Sequence, residues 1–473
     1  MNQPIDPDSD ARNALRLIGP DPQNWVPERA EVDHNVTIVG GGQSGSAFAF
    51  ALRRAGIGKV SVIDAAADEA QAGVWLTAAR MHVLRTPKNL PGPELGIPAL
   101  SFHSWYERRH GADAYATLER IPRTAWAEYL SWYRQFLAIP IRYGTRLVRI
   151  EPADGHLRLQ LESDSAPIIE TTRKVILANG VAGNGGAYVP PVLTEGLSQK
   201  LYAHTADAID FAALRGKHVA VIGAAASAFD AAAVALETGA ASVHLFARRP
   251  AIASVPITRV RGYPGAYDNY PRAAGRGSLA PGDPVSQGGF DPACRCDRAG
   301  HEISQFPSPS RCPVAVGPDR TMQDRGESGG RGFPLRLRHR RDRVFRGPGG
   351  SPRAERLRIP NSPMARPFRS AGRRGGSVSR AHPYLGAGHE YLEKVAGAAP
   401  HLKDIHVQNP AGFVSFGFPV GDVPSMKRGV AAVVSQIGRD LFFADFAAHE
   451  RRITGDVMPE FGEELYASAL WRP

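Results

Sequence analysis

Val36-Thr37-Ile38-Val39-Gly40-Gly41-Gly42-Gln43-Ser44-Gly45-Ser46-Ala47-Phe48-Ala49-Phe50-Ala51-Leu52 is the stretch that decides the fold of this 473-residue chain. A β-branched run breaks at a glycine-rich turn and continues as small and apolar residues, the strand–turn–helix of a dinucleotide-binding βαβ unit. Gly40 permits the tight turn out of the strand, Gly42 leaves room for a pyrophosphate against the backbone, and Gly45 lets the helix pack close to the sheet. A helix beginning at Gln43 and Ser44 presents unpaired N-terminal amides to the phosphates. The next strand, Lys59-Val60-Ser61-Val62-Ile63, ends at Asp64, 24 residues beyond Gly40. An acid in that position accepts ribose hydroxyls. Strand, triad, helix, strand and terminal acid in this order argue against a glycine turn in an unrelated sheet.

A second unit lies about 180 residues further on, where Val219-Ala220-Val221-Ile222 runs into Gly223-Ala224-Ala225-Ala226-Ser227-Ala228. Ala225 stands where a glycine gives the pyrophosphate most clearance, so its methyl either weakens binding or is absorbed by a small backbone shift. The strand Ser242-Val243-His244-Leu245-Phe246 leads to Arg248 and Arg249 rather than to an acid. Guanidinium groups there suit the additional phosphate of NADP, the plain alternative being a solvated strand end. Two such units suggest two dinucleotides face to face, with electron transfer between them.

On these residues the chain resembles the flavoprotein monooxygenases and related FAD/NAD(P)-binding oxidoreductases, among them flavin-containing, Baeyer-Villiger and N-hydroxylating monooxygenases. Val32 to Asp64 match the FAD fingerprint, and Lys174-Val175-Ile176-Leu177-Ala178-Asn179-Gly180 resembles the strand and turn that end the first FAD segment. The resemblance implies an α/β fold with two Rossmann-like dinucleotide-binding domains, the NAD(P) domain inserted in a discontinuous FAD domain. The implied boundaries are a tail at 1–30, FAD segments at 31–199 and 382–473, and an NAD(P) domain at 200–270. It further implies FAD and NADPH as cofactors. In such enzymes NADPH reduces the flavin, and molecular oxygen added at flavin C4a oxygenates a small organic substrate. The alternatives are an NADPH-dependent flavin reductase without oxygenation, and a defective noncatalytic flavin-binding protein.

Gly73-Val74-Trp75 resembles the family's small residue and tryptophan near the flavin. Arg85, Lys88 and Arg123 are candidates for a phosphate or a substrate carboxylate. Trp126, Tyr129, Leu130, Trp132 and Tyr133 follow helical spacing and read equally as an interior face. The family's linker histidine has a counterpart in His204, the sole catalytic candidate. Its motif spacing is broken, which argues against Baeyer-Villiger chemistry and leaves a nicotinamide contact, a domain-coupling role or a loop hydrogen bond open. In the closing segment, Ser425 and Met426 are expected at a helix start whose amides approach isoalloxazine or pyrophosphate, with a structural C-terminal lid as the rival reading. The spacing of Val430, Val433, Val434, Ile437 and Leu441 predicts an inward helical face.

Other chemistries are disfavoured. The three cysteines, Cys294, Cys296 and Cys312, form no C-x-x-C pair beside the first signature, as a disulfide reductase requires, and no zinc spacing, so no metal is expected. Neither a serine nucleophile elbow nor a phosphoryl-transfer loop is present. The first 30 residues hold no signal-peptide or membrane-spanning run, so a cytoplasmic protein without membrane contact is expected.

Residues 271–376 carry 21 Arg, no Lys and nine Asp or Glu, a net charge of +12 against +11 for the whole chain. The high pI is therefore local. With neither Trp nor Tyr and much Gly, Pro and Ser, this segment, taken as 271–381, reads literally as a disordered cationic insertion that meets nucleic acid only if genuine. The favoured reading is a frameshift. Codons for Leu337–Arg346, read one base later, can encode a hydrophobic strand ending in a glycine-rich turn, and the same offset serves Cys296–Arg311.

Overall fold

The computed structural model describes residues 6–247 apart from 91, 164–165, 182 and 184–186, a strand at 315–318, residues 384–455, and scattered positions at 263, 265, 269, 462–465, 468–469 and 471. Arg248, Arg249, the cysteines and both frameshift test stretches lie outside the described residues.

From the N-terminus the elements are α1 (Pro7–Leu17), β1 (His34–Val39), α2 (Gln43–Arg54), β2 (Val60–Ile63), α3 (Phe102–His110), α4 (Ala112–Thr117) and α5 (Arg123–Phe136). Then come β3 (Ile141–Arg142), β4 (Thr145–Ala153), β5 (His156–Ser163), β6 (Ala166–Leu177) and α6 (Pro191–Gly196). The second unit holds β7 (His218–Ile222), α7 (Ala226–Glu237), β8 (Ser242–Ala247) and β9 (Ala315–Pro318). The closing part is β10 (Ile405–Val407), α8 (Phe413–Phe416), α9 (Met426–Ala444) and α10 (Phe446–Thr454).

The larger sheet has the order β3-β2-β1-β6-β5-β4, and β10 pairs with β6 as well. Strands β1, β2, β3, β6 and β10 run parallel, whereas β4, β5 and β6 form an antiparallel meander. The parallel strands are covered on both faces, which explains their near-continuous apolar runs. Val36, Ile38 and Ile176 pack toward α2, α5 and α9, and Val175, Leu177, Ile405 and Val407 toward the opposite face. By contrast β5 alternates, burying Leu157, Leu159 and Leu161.

Helix α2 buries Phe48, Phe50 and Leu52 and ends in Arg53 and Arg54, which complement its C-terminal dipole. Helix α9 buries Val430, Val433, Ile437 and Leu441, with Val434 partly buried, in agreement with the expected inward face. In α5, Trp126, Tyr129, Leu130 and Tyr133 are buried and Trp132 is half-buried, as the interior-face reading requires.

The expected N-terminal tail contains α1, begun by Pro7 after an Asp6 cap that accepts from the Asp8 N–H at 3.0 Å. Its pattern is faint because Ala11 is its one buried residue, although Asp-Pro is itself a helix-start signal. Trp25 anchors this region, donating Nε1–H to the Ala55 carbonyl at 2.8 Å.

The smaller sheet, β7-β8-β9, is parallel, and α7 joins β7 to β8. The chain later re-enters the first sheet at β10. Lys174 on β6 fastens that return, its nearly buried ammonium lying 2.7 Å from Asp404 and 2.5 Å from Asp440 of α9. Among the described residues no helix is long and apolar enough to cross a membrane, and no group of His, Cys, Asp and Glu is arranged to hold a metal.

Candidate functional site

The C-terminal ends of β1, β2, β6 and β10 converge on one place, the usual location of ligands in an open α/β sheet. Gly40 turns with φ +107°, and a Cβ there would lie 2.5 Å from the Ala178 carbonyl oxygen at the end of β6. A Cβ on Gly45 would lie 1.8 Å from the Gly40 carbonyl oxygen. Both glycines are therefore required by the chain's own close packing. Gly42 differs: a Cβ would meet nothing within 4 Å, so the start of α2 faces open space. No side chain caps that helix end. Free amides beside a cavity left by a missing side chain fit a diphosphate.

Asp64 is joined to this turn. Its Oδ2 accepts from the Gly41 N–H at 2.7 Å and its Oδ1 from the Ala66 N–H at 2.8 Å. Each oxygen keeps a lone pair for a ribose hydroxyl. Gln43 ties the turn to two distant segments, accepting from Trp126 Nε1 at 3.3 Å and donating to the Gly421 carbonyl at 3.4 Å. Ser44 is buried within the first turn of α2.

Gly421 was not singled out in the sequence, yet its φ of +84° sets the closing loop against Gln408 and Asn409, whose atoms lie 3.0 Å from the position of an added Cβ. Asn409 also donates to the Asn179 side chain at 2.9 Å, linking the ends of β10 and β6. The available signal was a glycine just before a helix start.

Ser425 caps the turn before α9. Its hydroxyl accepts from the Gly421 N–H at 3.1 Å, and its own N–H donates to Asp422 at 3.1 Å. Met426 is fully buried. Burial holds the Asp422 carboxyl above the usual carboxylate range.

Trp75 is half-buried, its ring 6.3 Å from that of Trp126 and nearly edge-on, and its carbonyl accepts from Arg123 Nη1 at 2.5 Å. Arg85 and Lys88 have protein partners. Arg85 Nη2 lies 2.7 and 2.6 Å from the two Asp230 oxygens on α7, and Lys88 donates to the Tyr115 carbonyl at 2.7 Å.

In the second unit Gly223 has φ +132° and donates to the Phe246 carbonyl at 2.9 Å. Ala225 is the residue before α7, and both it and Ser227 are exposed. His204 is engaged in its own turn: its N–H donates to Asp207 at 2.8 Å and its Nδ1 accepts from the Ala206 N–H at 3.1 Å.

A family model described as pyridine nucleotide-disulphide oxidoreductase matches residues 37–262. Over 457 residues, 90% of either protein, the chain is 34% identical to the FAD-dependent urate hydroxylase of Xanthomonas campestris pv. campestris. Among solved structures, the ornithine N-hydroxylase of Kutzneria sp. 744 is similar with a TM-score of 0.56 at 14% identity, over 86% of this chain and 99% of that one. The ornithine hydroxylase of Pseudomonas aeruginosa gives 0.53 at 16% identity, over 86% and 99% respectively. These likenesses show a shared α/β fold.

Proposed function

Since this chain belongs to the FAD- and NAD(P)-binding oxidoreductases related to flavin monooxygenases, we propose that it is an NADPH-consuming monooxygenase acting on a small organic substrate. Urate is the first compound to test, because it is named for the relative that matches along 90% of the chain. The observation that carries the reading is the cradle at the start of α2, where Gly42 opens space beside the Asp64 carboxylate.

In this reading residues 31–199 and 382–473 form a discontinuous FAD domain and 200–270 the NADPH domain, both Rossmann-like. The return of β10 to β6 after the second βαβ unit supports it. Bound FAD would supply hydride acceptance and oxygen activation. Gly40 and Gly45 hold the turn, Gly42 admits the diphosphate, the Gln43 and Ser44 amides face it, and Asp64 holds the ribose. Trp75, backed by Trp126, screens the flavin from water. Ser425 and Met426 close the site through the loop that holds Gly421. Gly223, Ala225 and Ser227 receive NADPH, with Arg248 and Arg249 on its extra phosphate.

The chain has no cysteine before Cys294, which disfavours thiol–disulfide exchange beside the first signature. The test is an assay with FAD, NADPH, urate and ¹⁸O₂. Substrate-dependent NADPH oxidation with label in the product is expected. NADPH oxidation by an artificial acceptor without labelled product would make the chain a reductase, and FAD retention without reduction would make it a noncatalytic flavin protein.

A further inference from the structure

The structure separates the cations of residues 80–123 by partner. Arg85 is neutralised by Asp230, and Lys88 is spent on the Tyr115 and Ala116 carbonyls and the Tyr115 ring. Arg123 is different. One guanidinium nitrogen reaches the Trp75 carbonyl, and its Nε is buried without a partner.

Beside it stands Arg80, which the sequence reading passed over. Arg80 donates to the Thr77 carbonyl at 2.5 Å and to the Asp207 carbonyl at 2.9 Å, and its guanidinium lies 5.6 Å from the centre of the Phe211 ring. Among the described residues neither arginine has a carboxylate within ion-pair distance. The two guanidinium groups reach carbonyls two residues apart, Arg123 that of Trp75 and Arg80 that of Thr77, and burial, then the charge of Arg123, lower the proton affinity of Arg80. Like charges held together in a half-buried place are stabilised by an anion between them.

The position suits a substrate. Arg123 opens α5 in the first unit, whereas Arg80 reaches the segment that leads into β7. The pair therefore lies at the junction of the two nucleotide-binding units, beside the tryptophan assigned to the flavin.

We propose that Arg80 and Arg123 form the anion-binding subsite for the substrate, which is a small planar organic anion: a carboxylate or a deprotonated heterocycle of the urate type. The assignment rests on the functional reading above for its location next to the flavin. Planar guanidinium groups match such anions through paired N–H donors, which an ammonium does not reproduce. A phosphate of NADPH offers related chemistry, and binding measurements separate the two sources.

The experiment is equilibrium binding to the FAD-loaded full chain, read from the flavin absorbance without turnover. The probes are urate and benzoate, their neutral counterparts hypoxanthine and benzamide, and NADP⁺. We expect an anion to bind more tightly than its neutral counterpart. Arg80→Gln and Arg123→Gln should each weaken that anion by about 10- to 100-fold while FAD content and NADP⁺ affinity stay within about twofold. Arg123→Lys, which keeps the charge and a donor for the Trp75 carbonyl, should fall between.

Failure of wild type to prefer either anion would overturn the subsite, as would unchanged anion binding in both Gln variants. Loss of NADP⁺ affinity in place of anion affinity would assign the pair to the nicotinamide nucleotide and overturn it too. Anion binding that depends on the arginines in a protein that never oxidises NADPH would sink the functional reading and leave the subsite standing.

Discussion

Gly42 and Gly45 belong to one motif, yet the structure predicts that alanine acts on them through different states of the protein. At Gly45 the new methyl would lie 1.8 Å from the Gly40 carbonyl oxygen and 2.9 Å from its carbonyl carbon. Ordinary contact is about 3.5 Å, so the start of α2 must move away from β1 by well over about 1 Å. That helix carries Phe48, Phe50 and Leu52 into the core, so the shift is resisted. Overpacking costs about 1–3 kcal/mol, and backbone against backbone belongs at the upper end. At Gly42 the methyl meets nothing, and φ of −68° is open to any residue. Alanine caps helices less well than glycine, a loss of up to about 1 kcal/mol. Once FAD binds, that methyl competes with the diphosphate, and the same 1–3 kcal/mol becomes a loss of affinity of about 5- to 150-fold. The assay is a thermal melt of each apoprotein followed by FAD titration through quenching of flavin fluorescence. Gly45→Ala should lower the melting temperature of the apoprotein strongly, and Gly42→Ala should lower it less and bind FAD weakly. Wild-type FAD affinity in Gly42→Ala, or a wild-type melt in Gly45→Ala, would refute the reasoning.

Arg85→Ala and Asp230→Ala remove the ion pair between the loop after β2 and α7, and should slow reduction of the flavin by NADPH while FAD content stays constant. The swapped pair Arg85→Asp with Asp230→Arg should recover part of the rate; equal stopped-flow traces for wild type and the single variants would remove the pair from domain positioning. Burial lowers His389 to about 4 and His406 to about 3, from 6.5. Below pH 6.5 the unfolded chain takes up protons that the folded one refuses, so each histidine withdraws stability as pH falls toward its folded value, at up to about 1.4 kcal/mol per pH unit. Lys174 strengthens the effect at His406 and Asp440 opposes it; the Glu390 carboxyl, which burial raises, takes up its proton more readily in the folded state and offsets part of the slope. Denaturant melts between pH 4 and 7 should slope accordingly, with a shallower slope in His406→Gln, and parallel profiles would discard the account. For the arginine-rich segment, sequencing the coding DNA from about codon 265 to codon 385 should reveal compensating single-base shifts; a confirmed frame would make the segment genuine and favour a noncatalytic flavin protein.

Sequence alone determined the βαβ unit of β1, α2 and β2, because its requirements are local. Glycine at Gly45 follows from backbone approach within five residues and glycine at Gly40 from the positive φ of a tight turn, and β-branched runs and helical spacing are legible in any window. The same holds for the unit of β7, α7 and β8 and for the buried face of α9. Tertiary structure decided what depends on distant partners. Whether Arg85, Lys88 or Arg123 stays available to an anion turned on Asp230, 145 residues from Arg85, and on the Tyr115 carbonyl. Likewise Gly421 gained its place from Gln43, 378 residues away, and β10 found β6 through pairing and the Lys174 bridge to Asp404 and Asp440. Local pattern states what a residue can do; only the folded chain states which charges are already neutralised, since Coulomb and hydrogen-bond partners are chosen in space.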